Sequence, residues 1–257
     1  MKRLITSEFQ RIWGNRKTQL LLVFYVVVII SSCVFRLMSP SGAYDGVKYN
    51  VDLNRLNFSP FVFYEIRFEL LYIILPVLFM NSINYEQSIG AFRMYVIRPY
   101  KKQEFIISKW IALALTTFLL IFTAFIISTV FGYMFMPKAS YVRFYNIQQD
   151  FSMAQAFLYT IKFFSIQFVI SLCILALASV IGIIINNSVI SILSVIAISV
   201  GLGFFTKAFE FLNYTTKYGF YVLANTAPIS FYMTLIAILV VGLFVSMFLW
   251  QKKDHLY

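Results

Sequence analysis

The sequence predicts an all-α polytopic membrane protein with six transmembrane helices, and three observations carry that prediction. Hydrophobic residues make up 61% of the chain and charged residues only 12%. The mean hydropathy is +0.82. Several apolar runs exceed the roughly 18 to 20 residues that cross a hydrocarbon core of about 30 Å. A soluble domain could not bury this much apolar surface, so we expect residues 1–257 to form a single transmembrane domain.

Six apolar runs have the length of a span. They lie at about 18–38, 63–84, 106–135, 156–185, 188–208 and 229–250. The third run is longer than one crossing needs, so we expect it to tilt or to project from the bilayer. Only Asn186 and Asn187 separate the fourth and fifth runs, which predicts a tight polar turn. The aromatic, weakly polar stretch 207–228 predicts an external hairpin that is partly embedded in the membrane.

Lysine and arginine cluster in three segments that six spans would place on one side of the membrane. These segments are the N-terminus, the loop between the second and third spans, and the C-terminal tail. Cytoplasmic loops carry an excess of these residues, so we expect both termini in the cytoplasm. The net charge of +11 is then explained by basic cytoplasmic loops that face anionic lipid headgroups. We therefore expect the lipid bilayer as a partner, and no nucleic acid.

Residues 1–17 predict an amphipathic helix that lies in the membrane interface. Ile5, Phe9, Ile12 and Trp13 recur at helical spacing and form one apolar face, while Glu8 is expected among the polar residues on the rest of the helix. One interpretation is a basic anchor for the first span. The other is a collar that braces the loop between the second and third spans.

Charged residues occupy the first two turns of the predicted second span. Glu65, Arg67 and Glu69 are expected at its outer end, where they can reach water. Charges inside a membrane are costly and often mark a pathway. These three residues therefore have either an interfacial role or a role in lining an external gate. Pro76, further along the span, is expected to kink the helix.

The loop between the second and third spans has the composition of a short amphipathic helix. Ile89, Phe92 and Val96 recur at helical spacing after Gly90, and Pro99 ends the helical pattern. Basic residues lie among these apolar positions, namely Arg93, Arg98, Lys101 and Lys102. Such a helix between two spans is suited to touching another protein and passing force to the membrane helices.

Several kinds of chemistry have no support in the sequence. No GxxxxGK[ST] phosphate loop is present, so the chain is not an ATPase of that class. His255 is the sole histidine, which excludes a His-based zinc site and a Ser-His-Asp set in the membrane. Cys33 and Cys173 show no metal or redox spacing and are expected to be small buried hydrophobes. We expect a protein that is not an enzyme and holds no cofactor or metal.

The loop also carries a spacing that resembles a known family. Glu86, Gly90, Pro99, Lys101 and Lys109 follow the pattern E-x3-G-x8-P-x-K-x7-K between the second and third spans. In this pattern and in its topology, the chain resembles the permeases of ABC-2 type transporters. The resemblance implies the transmembrane subunit of an ABC exporter in a bacterial cytoplasmic membrane.

The resemblance further implies how such a chain would work. A cytoplasmic ABC ATPase subunit would bind ATP and Mg²⁺, and the permease would pair with a second copy of itself or a homologous permease. Residues 85–105 would be the cytoplasmic coupling loop. Its ATPase-coupling residues would be Glu86, Ile89, Gly90, Phe92, Arg93, Val96, Arg98, Pro99 and Lys101. ATP binding to the ATPase subunit would switch the helix bundle between two states, because the subunit contacts this loop.

The cargo and the class of protein leave alternatives open. The 29 Phe and 17 Tyr suit an amphipathic or hydrophobic cargo, and the resemblance favours export of a peptide such as a toxin or an antimicrobial peptide. Export of a drug, a lipid or an ion is the alternative within the family. Outside the family, the chain is a secondary carrier or channel that needs no ATPase, or a structural or sensor protein whose loop binds a regulator.

Overall fold

The computed structural model describes residues 1–45, 50–83 and 102–252, and it is 80% helical. The elements in chain order are α1 (Lys2–Gly14), α2 (Arg16–Met38), β1 (Ser41–Ala43), β2 (Asn50–Asp52), α3 (Phe58–Phe68), a π-helical segment (Glu69–Ile74), α4 (Leu75–Ile83), α5 (Lys102–Phe135), α6 (Met153–Ile184), α7 (Ser188–Phe205), a 3₁₀ helix (Lys207–Leu212), α8 (Thr215–Leu223) and α9 (Ile229–Lys252).

Within these ranges, five helices are long and apolar enough to cross a membrane. They are α2, α5, α6, α7 and α9, and they coincide with the first, third, fourth, fifth and sixth predicted runs. The chain is therefore a membrane-embedded helical protein. Helix α6 is the central element, because it packs against α3, α4, α5, α7, α8 and α9. Cys33 and Cys173 are both fully buried and free, which confirms the prediction for the two thiols.

The predicted second span lies in one continuous helical run, which changes from α-helix to π-helix and back to α-helix. Helix α3, the π-helical segment and α4 follow one another from Phe58 to Ile83 without a break. Pro76 explains the change, because its nitrogen has no hydrogen to donate to the carbonyl four residues earlier. The Leu75 N–H instead bonds to the Leu70 carbonyl, one residue further back than in an α-helix. The helix continues through the proline with one widened turn before it.

The turn between α6 and α7 is formed as predicted. Helix α6 ends at Ile184 and α7 begins at Ser188. The Asn187 side chain caps α7, since its Oδ1 accepts from the backbone N–H groups of Val189 at 3.0 Å and Ile190 at 3.2 Å. The stretch 207–228, predicted as a hairpin, folds into the 3₁₀ helix and α8. The Gln167 side chain on α6 donates to the Thr215 carbonyl at 3.2 Å and ties α8 to the central helix.

Two small extended pieces at the same end of the bundle modify the all-α prediction. Strands β1 and β2 pair antiparallel, with Ser41 opposite Asp52. In the segment between α5 and α6, the Arg143 Nε–H donates to Asp150 at 2.5 Å, which holds the pKa of the Asp150 carboxyl below its ordinary value. The Arg55 N–H bonds to the Pro137 carbonyl at 3.2 Å, so the two connecting segments lie against each other.

Candidate functional site

All nine predicted coupling residues lie outside the described residues. Residues 84–101 contain Glu86, Ile89, Gly90, Phe92, Arg93, Val96, Arg98, Pro99 and Lys101, so their roles stay predictions. The last lysine of the spacing pattern, Lys109, is described. So are the two helices that flank this loop, α4 before it and α5 after it.

Lys109 is buried at the point where α1, α4 and α5 meet. Only 1% of its surface is exposed. Its Nζ lies 3.2 Å from Glu8 Oε2 on α1 and donates to the carbonyl oxygen of Ser82 on α4 at 2.8 Å. Lys109 therefore connects the N-terminal helix to both helices that flank the loop.

Arg11 completes this charged cluster from the next turn of α1. Its guanidinium pairs with the Glu8 carboxylate, and its Nη2 lies 3.5 Å from the Ser82 hydroxyl. Glu8 pairs with both Arg11 and Lys109. Because only 4% of Glu8 is exposed, little water reaches its carboxylate. We call Glu8, Arg11, Ser82 and Lys109 the basal cluster. Removing one member of a buried ion pair leaves an uncompensated charge and typically costs about 3 to 5 kcal/mol.

The buried face of α1 differs from the predicted one. Leu4, Glu8 and Ile12 are buried at a spacing of four residues, and Ile5 and Phe9 are only half-buried beside them. Glu8 was expected on the polar face, and that expectation is wrong because Lys109 offers it a partner inside the protein. The sequence contained one signal for this arrangement, which is a glutamate in line with Leu4 and Ile12 on the same helix.

The three predicted gate residues do not form one cluster. Glu65 pairs with Arg36 at the end of α2. Arg67 folds back on Tyr64: its Nη1 donates to the Tyr64 carbonyl at 2.8 Å, and the guanidinium carbon lies 3.7 Å from the centre of the Tyr64 ring. Glu69 forms no ion pair with any residue in the described part of the chain.

The helical run that contains Glu69 begins earlier than the predicted span. The helical run begins at Phe58, and the predicted span began at residue 63. At 1.5 Å per residue, Glu69 is about 16 Å from the start of the run and about 20 Å from Ser82 in the basal cluster. It is the first residue of the π-helical segment. Where Glu69 lies relative to the membrane surface therefore stays a prediction.

A second polar junction, which sequence reasoning missed, holds the π-helical segment against α7. The Tyr72 hydroxyl lies 2.8 Å from the Leu212 carbonyl oxygen and 2.7 Å from Asn213 Oδ1. Asn213 Nδ2 donates to the Val200 carbonyl of α7 at 3.2 Å. Gly203 makes room for this amide, because a Cβ at that position would lie 2.5 Å from Asn213 Nδ2. Close packing against Asn213 therefore explains the glycine at this position.

Comparison with known proteins adds no family to this description. The chain matches no protein-family model, and no curated protein matches it.

Proposed function

We propose that this chain is the transmembrane permease subunit of an ATP-driven exporter of the ABC-2 type. A separate cytoplasmic ATPase binds the loop 84–101, and the chain itself performs no chemical step. The exporter contains a pair of permeases, and its cargo is an amphipathic or hydrophobic peptide such as a toxin or an antimicrobial peptide. The loop spacing E-x3-G-x8-P-x-K-x7-K and the apolar, aromatic composition support this proposal.

A sixth crossing by residues 58–83 is part of the proposal. This run lies antiparallel to α5 over most of its length. Ser59 hydrogen-bonds to Ser128 near one end, and Ser82 bonds to Lys109 near the other. Its 26 residues span about 39 Å, more than a hydrocarbon core of about 30 Å. Since α5 has the length and composition of a span, its neighbour crosses with it, and both termini lie on one side.

The basal cluster is the observation that carries the proposal. Lys109 links the beginning of α5 to the end of α4 at 2.8 Å, and Glu8 links both to α1 at 3.2 Å. The loop 84–101 is thereby anchored at both ends to a common charged cluster. A push on this loop reaches three helices together, because buried ion pairs of this kind resist separation. An element that transmits force from a soluble partner needs this arrangement.

Copurification tests the proposal. The tagged chain is isolated in mild detergent from its native membrane, and the retained proteins are identified by mass spectrometry. We expect an ABC-type ATPase in equal stoichiometry, and its ATP hydrolysis should rise when the cargo peptide is added. A purified chain that transports cargo in liposomes without any ATPase would contradict the proposal and establish the secondary carrier instead.

A further inference from the structure

Glu69 is a carboxylate inside the proposed sixth crossing, and it forms no ion pair with any described residue. Its Oε2 is buried and has no hydrogen-bond partner within the described residues. Arg67, the nearest arginine in the sequence, stacks on Tyr64, and Arg36 pairs with Glu65. A buried carboxylate oxygen without a donor costs several kcal/mol. Ionisable residues that persist inside membrane helices under such a penalty generally bind or conduct something.

The surroundings of Glu69 are open on one side and apolar. Phe68, immediately before it, is 56% exposed, and Ile73, one turn after it, is 40% exposed. Glu69 itself is half-buried. The Phe68 ring lies 5.3 Å from the Tyr72 ring, so the open side also presents aromatic surface. The π-helical turn that begins at Glu69 is a second feature typical of functional sites.

We propose that Glu69, Phe68 and Ile73 form a binding site for the positively charged group of an amphipathic ligand. An ammonium group pairs with the Glu69 carboxylate, which is half-buried and so partly accessible, and this charge-assisted bond offsets the carboxylate charge. The apolar body of the ligand packs on Phe68 and Ile73, and the aromatic ring favours a nearby cation. The depth of Glu69 in the membrane and the identification of this ligand as the exported cargo rest on the proposed function.

A matched pair of probes isolates the charge. Decylamine that carries a dansyl group at its other end is positively charged, and the same molecule with its amine acetylated is neutral. The full chain is placed in nanodiscs of phosphatidylcholine, which has no net charge, and binding is followed by dansyl fluorescence. We expect the ammonium probe to bind about tenfold more tightly than the acetylated probe, which corresponds to about 1.4 kcal/mol.

Three variants complete the experiment. Glu69→Gln should remove the preference for the ammonium probe, and Glu69→Asp should keep part of it. Phe68→Ala should weaken both probes to a similar extent, because it removes apolar contact and leaves the carboxylate. Asp150→Asn, which changes an exposed carboxylate outside the membrane helices, should change neither. Helix content and gel-filtration profile confirm that each variant is folded.

Two results would overturn the inference. One is equal binding of the two probes by the unchanged chain. The other is a folded Glu69→Gln variant that keeps the ammonium preference. Neither result involves the ATPase, so the outcome is separate from that of the proposed function. A chain that shows the preference but never associates with an ATPase would refute the exporter and leave this site standing.

Discussion

The Lys109 ammonium lies 3.2 Å from the Glu8 carboxylate, although the two residues are far apart in the sequence. This contact joins the N-terminal helix α1 to the beginning of α5. Of the two interpretations of residues 1–17, the collar and the anchor, the contact favours the collar. Through Glu8 and Lys109, helix α1 is connected to the helices on either side of residues 84–101.

A double-mutant cycle on this pair is the first prediction. Lys109→Met alone leaves Glu8 with Arg11 as its remaining partner in a buried place, so it should lower the free energy of unfolding by about 3 to 5 kcal/mol. Glu8→Gln alone should do the same. The double variant should be less destabilised than the sum of the two, because the interaction between Glu8 and Lys109 is then lost only once. Unfolding in mixed detergent micelles measures all three.

The exposed pair Arg143–Asp150 is the control for this cycle. Its side chains are 66% and 46% exposed, so water and salt screen the pair. Arg143→Met and Asp150→Asn should leave the unfolding transition unchanged within error. Strict additivity at Glu8 and Lys109, equal to that of the control pair, would contradict the buried contact.

The second prediction concerns the junction between α7 and the π-helical segment. In Gly203→Ala the new methyl group would meet the Asn213 amide, which the Tyr72 hydroxyl and the Val200 carbonyl hold in place. We expect a loss of about 1 to 3 kcal/mol in the free energy of unfolding. Gly201→Ala, on the same helix, has space for its Cβ and should change stability by less than about 0.5 kcal/mol. Equal effects of the two variants would refute the close contact.

The third prediction tests the sixth crossing. Single cysteines replace Asn50, Gln103 and Tyr141, all of which are exposed. The native Cys33 and Cys173 are buried and should give little background. In intact cells, a membrane-impermeant maleimide should label positions 50 and 141, and it should label position 103 only after permeabilisation. Labelling of position 103 in intact cells together with position 50 would mean that residues 58–83 do not cross.

The fourth prediction concerns the loop itself. Glu86→Lys and Gly90→Pro should leave membrane insertion and the amount of protein unchanged, because the sequence predicts that this segment lies outside the membrane spans. Both variants should uncouple ATP hydrolysis by the partner from transport, so that the hydrolysis rate no longer rises when cargo is added. The measurement is ATPase activity and transport in the same proteoliposomes. Normal transport by both variants would remove this role from the loop.

Much of the helical framework could be predicted because the membrane imposes a simple pattern. Apolar runs of span length appear as α2, α5, α6, α7 and α9, and the polar pair Asn186–Asn187 marks the turn between two of them. Backbone groups in lipid must bond within their own helix, so length and composition alone are informative. The two buried cysteines follow from the same reasoning.

The contacts that build the candidate site could not be predicted in the same way. Glu8 pairs with Lys109, and Tyr72 lies beside Asn213, and in each case the partners are distant in the sequence. Such contacts depend on which helix faces are adjacent, which periodicity within one helix does not specify. The π-helical segment was missed for a related reason. Pro76 indicated a kink, but the chain accommodates it with a widened turn that begins at Glu69.

Photo-cross-linking from the loop tests the central claim most directly. Position 92, now Phe92, is replaced by p-benzoylphenylalanine in the native host, and position 141, now the exposed Tyr141, serves as the control. The account predicts a cross-link from position 92 to an ABC-type ATPase subunit and none from position 141. No ATPase cross-link from position 92 under conditions in which transport proceeds, or the same cross-link from position 141, would contradict it.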